Sequence, residues 1–191
     1  MTEKHNRRQF LGTAGIGTLG FWLGGGLVQL TPAQARERDV PLRVLERQQA
    51  AALEAFADTL LPGSAAAGVT HFIDHQLAAP ARDQLLMIRY LGVKSPFTPF
   101  YAGCAASLDA SAQQLHQQNF DQLSQAHRHS LTAAIAQANP AGWDGAPAPL
   151  AYFVLRSDAL DVVYGTKKGV ESLGLPYMAH IEPPSRWGEP T

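Results

Sequence analysis

The chain has 191 residues, with 15 basic and 16 acidic side chains, a formal net charge of −1 and a single cysteine. That balance supplies no basic field for nucleic acid or an anionic membrane surface. One cysteine excludes an internal disulfide, an iron–sulfur cluster ligated by this chain alone, and haem attachment through C-x-x-C-H.

The first segment, Asn6 to Ala35, reads as an export signal. Arg7 and Arg8 form a charged start, Phe10 to Leu30 is an uncharged apolar run, and Ala33-Gln34-Ala35 is a small-x-small site with cleavage expected after Ala35. Adjacent arginines followed by Phe10-Leu11, with seven glycines diluting the apolar run, match the twin-arginine type of signal. A retained transmembrane anchor is the competing reading, weakened by Gly24-Gly25-Gly26 and by a run barely long enough to span a bilayer. Gly15-Ile16-Gly17-Thr18-Leu19-Gly20 also fits the dinucleotide pattern G-x-G-x-x-G, with Asp39 about twenty residues on. No strand precedes it and the export charges stand in that strand's place, so the match is accidental.

The signal occupies residues 1–35 and a single domain follows at 36–191, a helical body to 165 and an extended tail from 166. Removing Lys4, Arg7, Arg8 and Glu3 leaves that domain 12 basic and 15 acidic residues. Its roughly 156 residues fit one modest core. Arg36 to Leu42 reads as a charged linker without chemistry of its own.

Apolar spacing gives a first helix through Leu45, Gln49, Ala52, Leu53, Phe56 and Leu60, with Glu46, Glu54 and Asp58 off the stripe and Pro62-Gly63 as its stop. Val69, Phe72, Ile73 and Leu77 mark a second. A third runs from Asp83 to Leu91 on Leu85, Leu86, Ile88 and Leu91. The fourth spans Tyr101 to Gln118, with Cys104, Leu108 and Leu115 inward and an amide-rich outer face. Ser124 caps a fifth, carrying His127, Leu131, Ile135 and Ala138 to Asn139-Pro140. A Gly/Pro loop displays Trp143, and a sixth helix runs from Pro149 to Tyr164 with Phe153, Leu160 and Val163 inward and Gly165 at its end. No run alternates with period two, so the fold class is all-α. The tail, rich in proline and glycine, is expected to hold no helix, its Tyr, Met and Trp side chains packing on its own domain or on a partner.

Candidate chemistry is sparse. His71 and His75 stand one helical turn apart with Asp74 beside them, as two metal ligands do, yet a third ligand is missing and core packing explains their neighbours. His127 and His129 face apart, and His180 is in the tail. No serine lies in a G-x-S-x-G setting. Asp158 and Asp161, with Arg156 nearby, read as a solvated, salt-bridged helix face rather than an acid/base pair. Cys104 reads as a small buried hydrophobe, an intermolecular bridge being the alternative.

Ala57-Asp58-Thr59-Leu60-Leu61-Pro62-Gly63, Ala67-Gly68-Val69 with Phe72-Ile73-Asp74, the run from Leu155 to Thr166 and the run from Leu175 to Trp187 resemble the small, or gamma, subunit of gluconate 2-dehydrogenase. The likeness covers nearly all of the chain beyond the signal. The resemblance implies a non-catalytic chain without a catalytic, cofactor or metal site of its own. It also implies two partners: a large subunit that holds FAD and oxidises the alcohol, and a multihaem cytochrome c that takes the electrons. The small subunit would carry the large one through the twin-arginine translocase to the periplasmic side of the inner membrane. Tyr164, Tyr177, Met178 and Trp187 are the expected interface anchors. The alternative is a free-standing exported metal protein or enzyme using His71 and His75.

Overall fold

The structure, a computed structural model, describes residues 18–23 and 25–175. It begins with an antiparallel hairpin, β1 (Leu19–Leu23) and β2 (Gly26–Leu30), paired Leu19 to Leu30 and Phe21 to Val28. The strands lie within the apolar run, where no period-two alternation was expected, yet side chains alternate between the two faces. Leu19, Phe21, Val28 and Leu30 pack inward, whereas Trp22 and Leu27, opposite each other, are 59% and 61% exposed. Apolar side chains on the outer face conceal the alternation.

Arg36 to Leu42, read as a linker, is instead part of the folded structure that begins at Thr31. Thr31 opens α1 (Pro32–Glu37) with a reciprocal cap: its hydroxyl accepts from the Gln34 N–H, and its own N–H donates to Gln34 Oε1. Ala35 and Val40 are buried, closing a small core with Phe21 and Leu30. Arg36 forms a two-pronged pair with Glu54, at 2.9 and 3.2 Å.

The body is built on α2 (Arg47–Leu60), which touches α3 (Val69–Ala78), α5 (Thr98–His116), α6 (Gln125–Gln137) and α7 (Ala148–Tyr164). Its Leu53 and Phe56 are fully buried, Phe56 meeting Phe120 edge-on at 5.7 Å between ring centres. Burying each such side chain contributes roughly 1.5–3 kcal/mol. Pro62-Gly63 ends α2 as expected, with Asp58 Oδ1 accepting from the N–H groups of Gly63 and Ala65.

Several elements depart from the sequence reading. The expected helix from Asp83 to Leu91 shrinks to α4 (Met87–Tyr90), preceded by a single 3-10 turn at Ala81–Asp83. Two backbone N–H groups of the segment are taken by side chains of neighbouring helices: Leu85 donates to Gln76 Oε1 and Met87 to Asp158 Oδ1. Leu86 and Ile88 are buried, Leu85 and Leu91 exposed. On α5, Leu115 is exposed rather than inward. On α7 the inward set is Ala151, Val154, Leu155, Ala159 and Val162, with Phe153 47% exposed and Leu160 and Val163 half-buried. Trp143 is buried, its Nε1–H donating to the Ala146 carbonyl at 2.8 Å. The tail carries a short helix, α8 (Lys167–Ser172), because the Thr166 hydroxyl caps it at the Gly169 N–H.

Candidate functional site

The chemistry-bearing side chains gather on two faces of the body. On the first, α3 acts as a clamp on three earlier points of the chain, at Gly20, Val40 and residues 43–45. Asp74, 4% exposed, accepts from the N–H of Arg43 through Oδ2 and from those of Val44 and Leu45 through Oδ1, at 2.8–2.9 Å. His71 Nε2 lies 3.1 Å from the Val40 carbonyl and His75 Nε2 lies 3.2 Å from the Gly20 carbonyl. A carbonyl only accepts, so each Nε2 carries a proton toward it, and both Nδ1 atoms are buried without a partner. Burial lowers the His75 pKa, an effect opposed by the hydrogen bond to Gly20. Its ring also packs on Phe21 at 5.1 Å. A cleft of about 180 Å³ lies between these groups, Arg43 and Trp22.

The two histidines therefore spend their Nε2 atoms on backbone and hold the hairpin and the Val40 turn in place. Both Asp74 oxygens are taken as well. Among the described residues, no three His, Cys, Asp or Glu side chains come together as a metal ion needs.

On the second face, Asp158 is fully buried on α7. It accepts from the Tyr101 hydroxyl at 2.6 Å and from the Met87 N–H at 2.9 Å, tying α5, α4 and α7 together. Burial pushes its carboxyl up to about 7, although both hydrogen bonds pull the other way. Burial also raises Tyr101, helped by the Asp158 charge. The expected solvated pair with Asp161 is thus corrected: Asp161 is exposed and Asp158 is not. One turn separates them, but only Asp158 faces the core.

A second, mostly apolar cleft of about 580 Å³ opens where α1 approaches α7 and α8, lined by Pro32, Ala33, Ala67, Val162, Val163 and Gly169 among others. Gly68, at φ +83°, lets α1 come this close, since a Cβ there would stand 2.2 Å from the Pro32 carbonyl oxygen.

Of the residues singled out in the sequence, Arg7, Arg8, Phe10, Leu11, Tyr177, Met178, His180 and Trp187 lie outside the described residues. Tyr164 is half-buried at the end of α7, and Cys104 is buried in the core. Ala33 and Ala35, the expected processing site, lie inside α1. His127 is exposed and stacks on His116 at 4.1 Å. Sequence reasoning missed Tyr101 with Asp158 and the triple cap at Asp74; an aspartate set within an apolar helical stretch was the available signal for both.

These elements define a small, mostly helical domain, 61% helix with eight helices and one two-stranded sheet among the described residues. The chain belongs to the gluconate 2-dehydrogenase subunit 3 family, whose model matches residues 47–180, from the start of α2 into the tail. Its role is accordingly that of a third subunit in a gluconate 2-dehydrogenase assembly. Comparison with curated proteins gives no match, and neither does comparison with solved structures.

Proposed function

We propose that the chain is the non-catalytic small subunit of a periplasmic, FAD-dependent gluconate 2-dehydrogenase-type complex. It binds and stabilises the flavin-bearing large subunit and carries it through the twin-arginine pathway, with a multihaem cytochrome c as the electron-accepting partner. The observation that carries this reading is the family match over residues 47–180 behind a leader that contains Arg7-Arg8 and Phe10-Leu11. The polar groups support it too: Asp74, His71, His75 and Asp158 each serve a backbone or tyrosine partner within the domain. They tie segments of the chain together as a scaffold requires.

The large subunit would dock in the cytoplasm, after flavin loading, on a partly apolar surface that includes the end of α7 at Tyr164 and the tail with Tyr177, Met178 and Trp187. Obligate interfaces of this kind bury about 2,000 Å² or more around aromatic and methionine anchors. The substrate then belongs to the large subunit's pocket, with gluconate, keto-gluconate or another polyol as its class.

The test replaces Arg7 and Arg8 by lysine in cells that make the whole complex, and follows the large subunit by immunoblot and flavin fluorescence. The expected result is its loss from the periplasmic side and accumulation in the cytoplasm. Normal export of the large subunit would sink the escort role. Turnover or stoichiometric metal in this chain alone would favour the histidine-based alternative.

A further inference from the structure

The expected processing site lies in folded structure. Signal peptidases take the residues before the cut as an extended strand with their small side chains inserted into the enzyme. Here the Ala35–Arg36 bond sits within α1, held by hydrogen bonds from Ala35 N–H to the Thr31 carbonyl and from Arg38 N–H to the Gln34 carbonyl. The Ala35 side chain, which the enzyme would have to receive, is 0% exposed and packs in the small core with Phe21, Leu30 and Val40. On the other side of the bond, Arg36 is fixed by both carboxylate oxygens of Glu54, and the Thr70 hydroxyl holds Oε2 of that carboxylate at 3.0 Å. The body is shaped to receive this segment: glycine at position 68 leaves room for the Pro32 backbone, and His75 and His71 reach the Gly20 and Val40 carbonyls on either side of it.

From this geometry we infer that docking of α1 closes the Ala35–Arg36 bond to signal peptidase, so that a chain exported in the folded state keeps its leader, with the β1–β2 hairpin and α1 packed on the body. This rests on the export reading above. Cleavage requires α1 to leave its seat, which exposes Ala35 and Val40 and breaks the Arg36–Glu54 pair. The cleavage rate therefore follows the small population of chains in which that has happened.

The experiment determines the first residue and intact mass of this chain, recovered with its complex from the periplasmic side. It does so for the wild type, for the Arg7,Arg8→Lys double variant, and for Gly68→Ala and Val40→Asp. Gly68→Ala drives a Cβ into the Pro32 backbone and Val40→Asp places a charge in the small core. Both leave Ala33, Gln34 and Ala35 unchanged. The expected result is a wild-type chain that begins ahead of Phe10, and variants in which the fraction starting at Arg36 rises about tenfold or more, as the opened population does.

A wild-type chain that begins at Arg36 overturns this inference and leaves export intact. Equal recovery of the wild-type and Lys,Lys chains outside the cytoplasm overturns the export reading instead. Purified full-length chain incubated with signal peptidase in detergent gives an independent readout. Wild type resists and the two variants are cut; cleavage of all three at one rate removes the proposal, and a thermal melt of each variant verifies that the α2–α7 body is folded.

Discussion

The Tyr101 hydroxyl on α5 donates a 2.6 Å hydrogen bond to Oδ2 of Asp158, fifty-seven residues further along the chain on α7. Asp158 Oδ1 takes the Met87 N–H, so one carboxylate fixes the position of three helices. Replacing Tyr101 by phenylalanine keeps the ring and removes the donor, leaving a buried oxygen unpaired. The expected loss is about 2 kcal/mol in urea unfolding. Asp158→Ala, which strands both the Met87 N–H and the Tyr101 hydroxyl, costs about 3 kcal/mol or more. A double-mutant cycle shows strong coupling between positions 101 and 158, since they share one bond.

Stability should depend on pH through the same group. The Asp158 carboxyl sits at about 7 in the folded chain against 3.8 for an ordinary aspartate, so the native state holds its proton over a range in which the unfolded chain has lost it. Its contribution is complete below pH 4 and is lost as pH rises through about 7, a change of up to roughly 4 kcal/mol. Asp158→Asn keeps an acceptor for Met87 and cannot titrate. Melting temperatures measured from pH 4 to pH 8 should fall for the wild type relative to Asp158→Asn; parallel curves would mean that the carboxylate remains charged throughout.

His75 works in the opposite direction. Burial holds its pKa below 6.5, with Arg43 acting the same way and Asp74 and the Gly20 carbonyl against it. The unfolded or undocked segment takes up a proton as pH falls below 6.5 while the docked ring stays neutral. Hairpin docking therefore has its full strength above that value and weakens as pH drops toward the lower, folded-state pKa. NMR signals of the β1–β2 amides should report growing exchange with an undocked state between pH 6.5 and pH 5. In His75→Gln, whose amide can still donate to the Gly20 carbonyl, that pH dependence should disappear.

Much of the body was legible because α2, α3 and α6 each bury one clean stripe, as with Leu53 and Phe56 or Leu131 and Ile135. On α7 the stripe was misphased: Phe153, Leu160 and Val163 are as apolar as Val154, Leu155 and Val162, and only tertiary packing selects between the two sets. The 83–91 segment was overextended because nothing local reveals that Gln76 and Asp158 will take the N–H groups of Leu85 and Met87. The export composition of Phe10 to Leu30 hid a hairpin whose outer face bears Trp22 and Leu27. Gly68 carries no local signal of its physical use, since the room it leaves for the Pro32 backbone matters only once α1 docks.

Asp74 offers a test of the clamp that does not involve protonation. Its two oxygens satisfy the N–H groups of Arg43, Val44 and Leu45, none of which has a helical partner because they precede α2. Asp74→Ala should cost about 3 kcal/mol and Asp74→Asn, which keeps one accepting oxygen, about 1 kcal/mol. Hydrogen exchange should locate the damage at residues 43–45 and the adjoining start of α2 rather than in α6. Uniform loss of protection across the body would show that the clamp is part of the global core instead.

Cys104 is 2% exposed on α5, and burial pushes its thiol up to about 12. A thiolate is the reactive form, so at pH 8 the folded chain offers almost none, and what there is lies behind the α5 helix surface. Alkylation by iodoacetamide should be slower than in denatured chain by about a thousandfold or more, reaction proceeding only through opening of the core. The rate should rise in Tyr101→Phe, because the weakened α5–α7 contact opens more often. An intermolecular disulfide at this position requires the same opening, so the native subunit should run as the same species on gels with and without reductant. A reductant-sensitive dimer or adduct formed under native conditions would mean that α5 is exposed before the protein meets its partner.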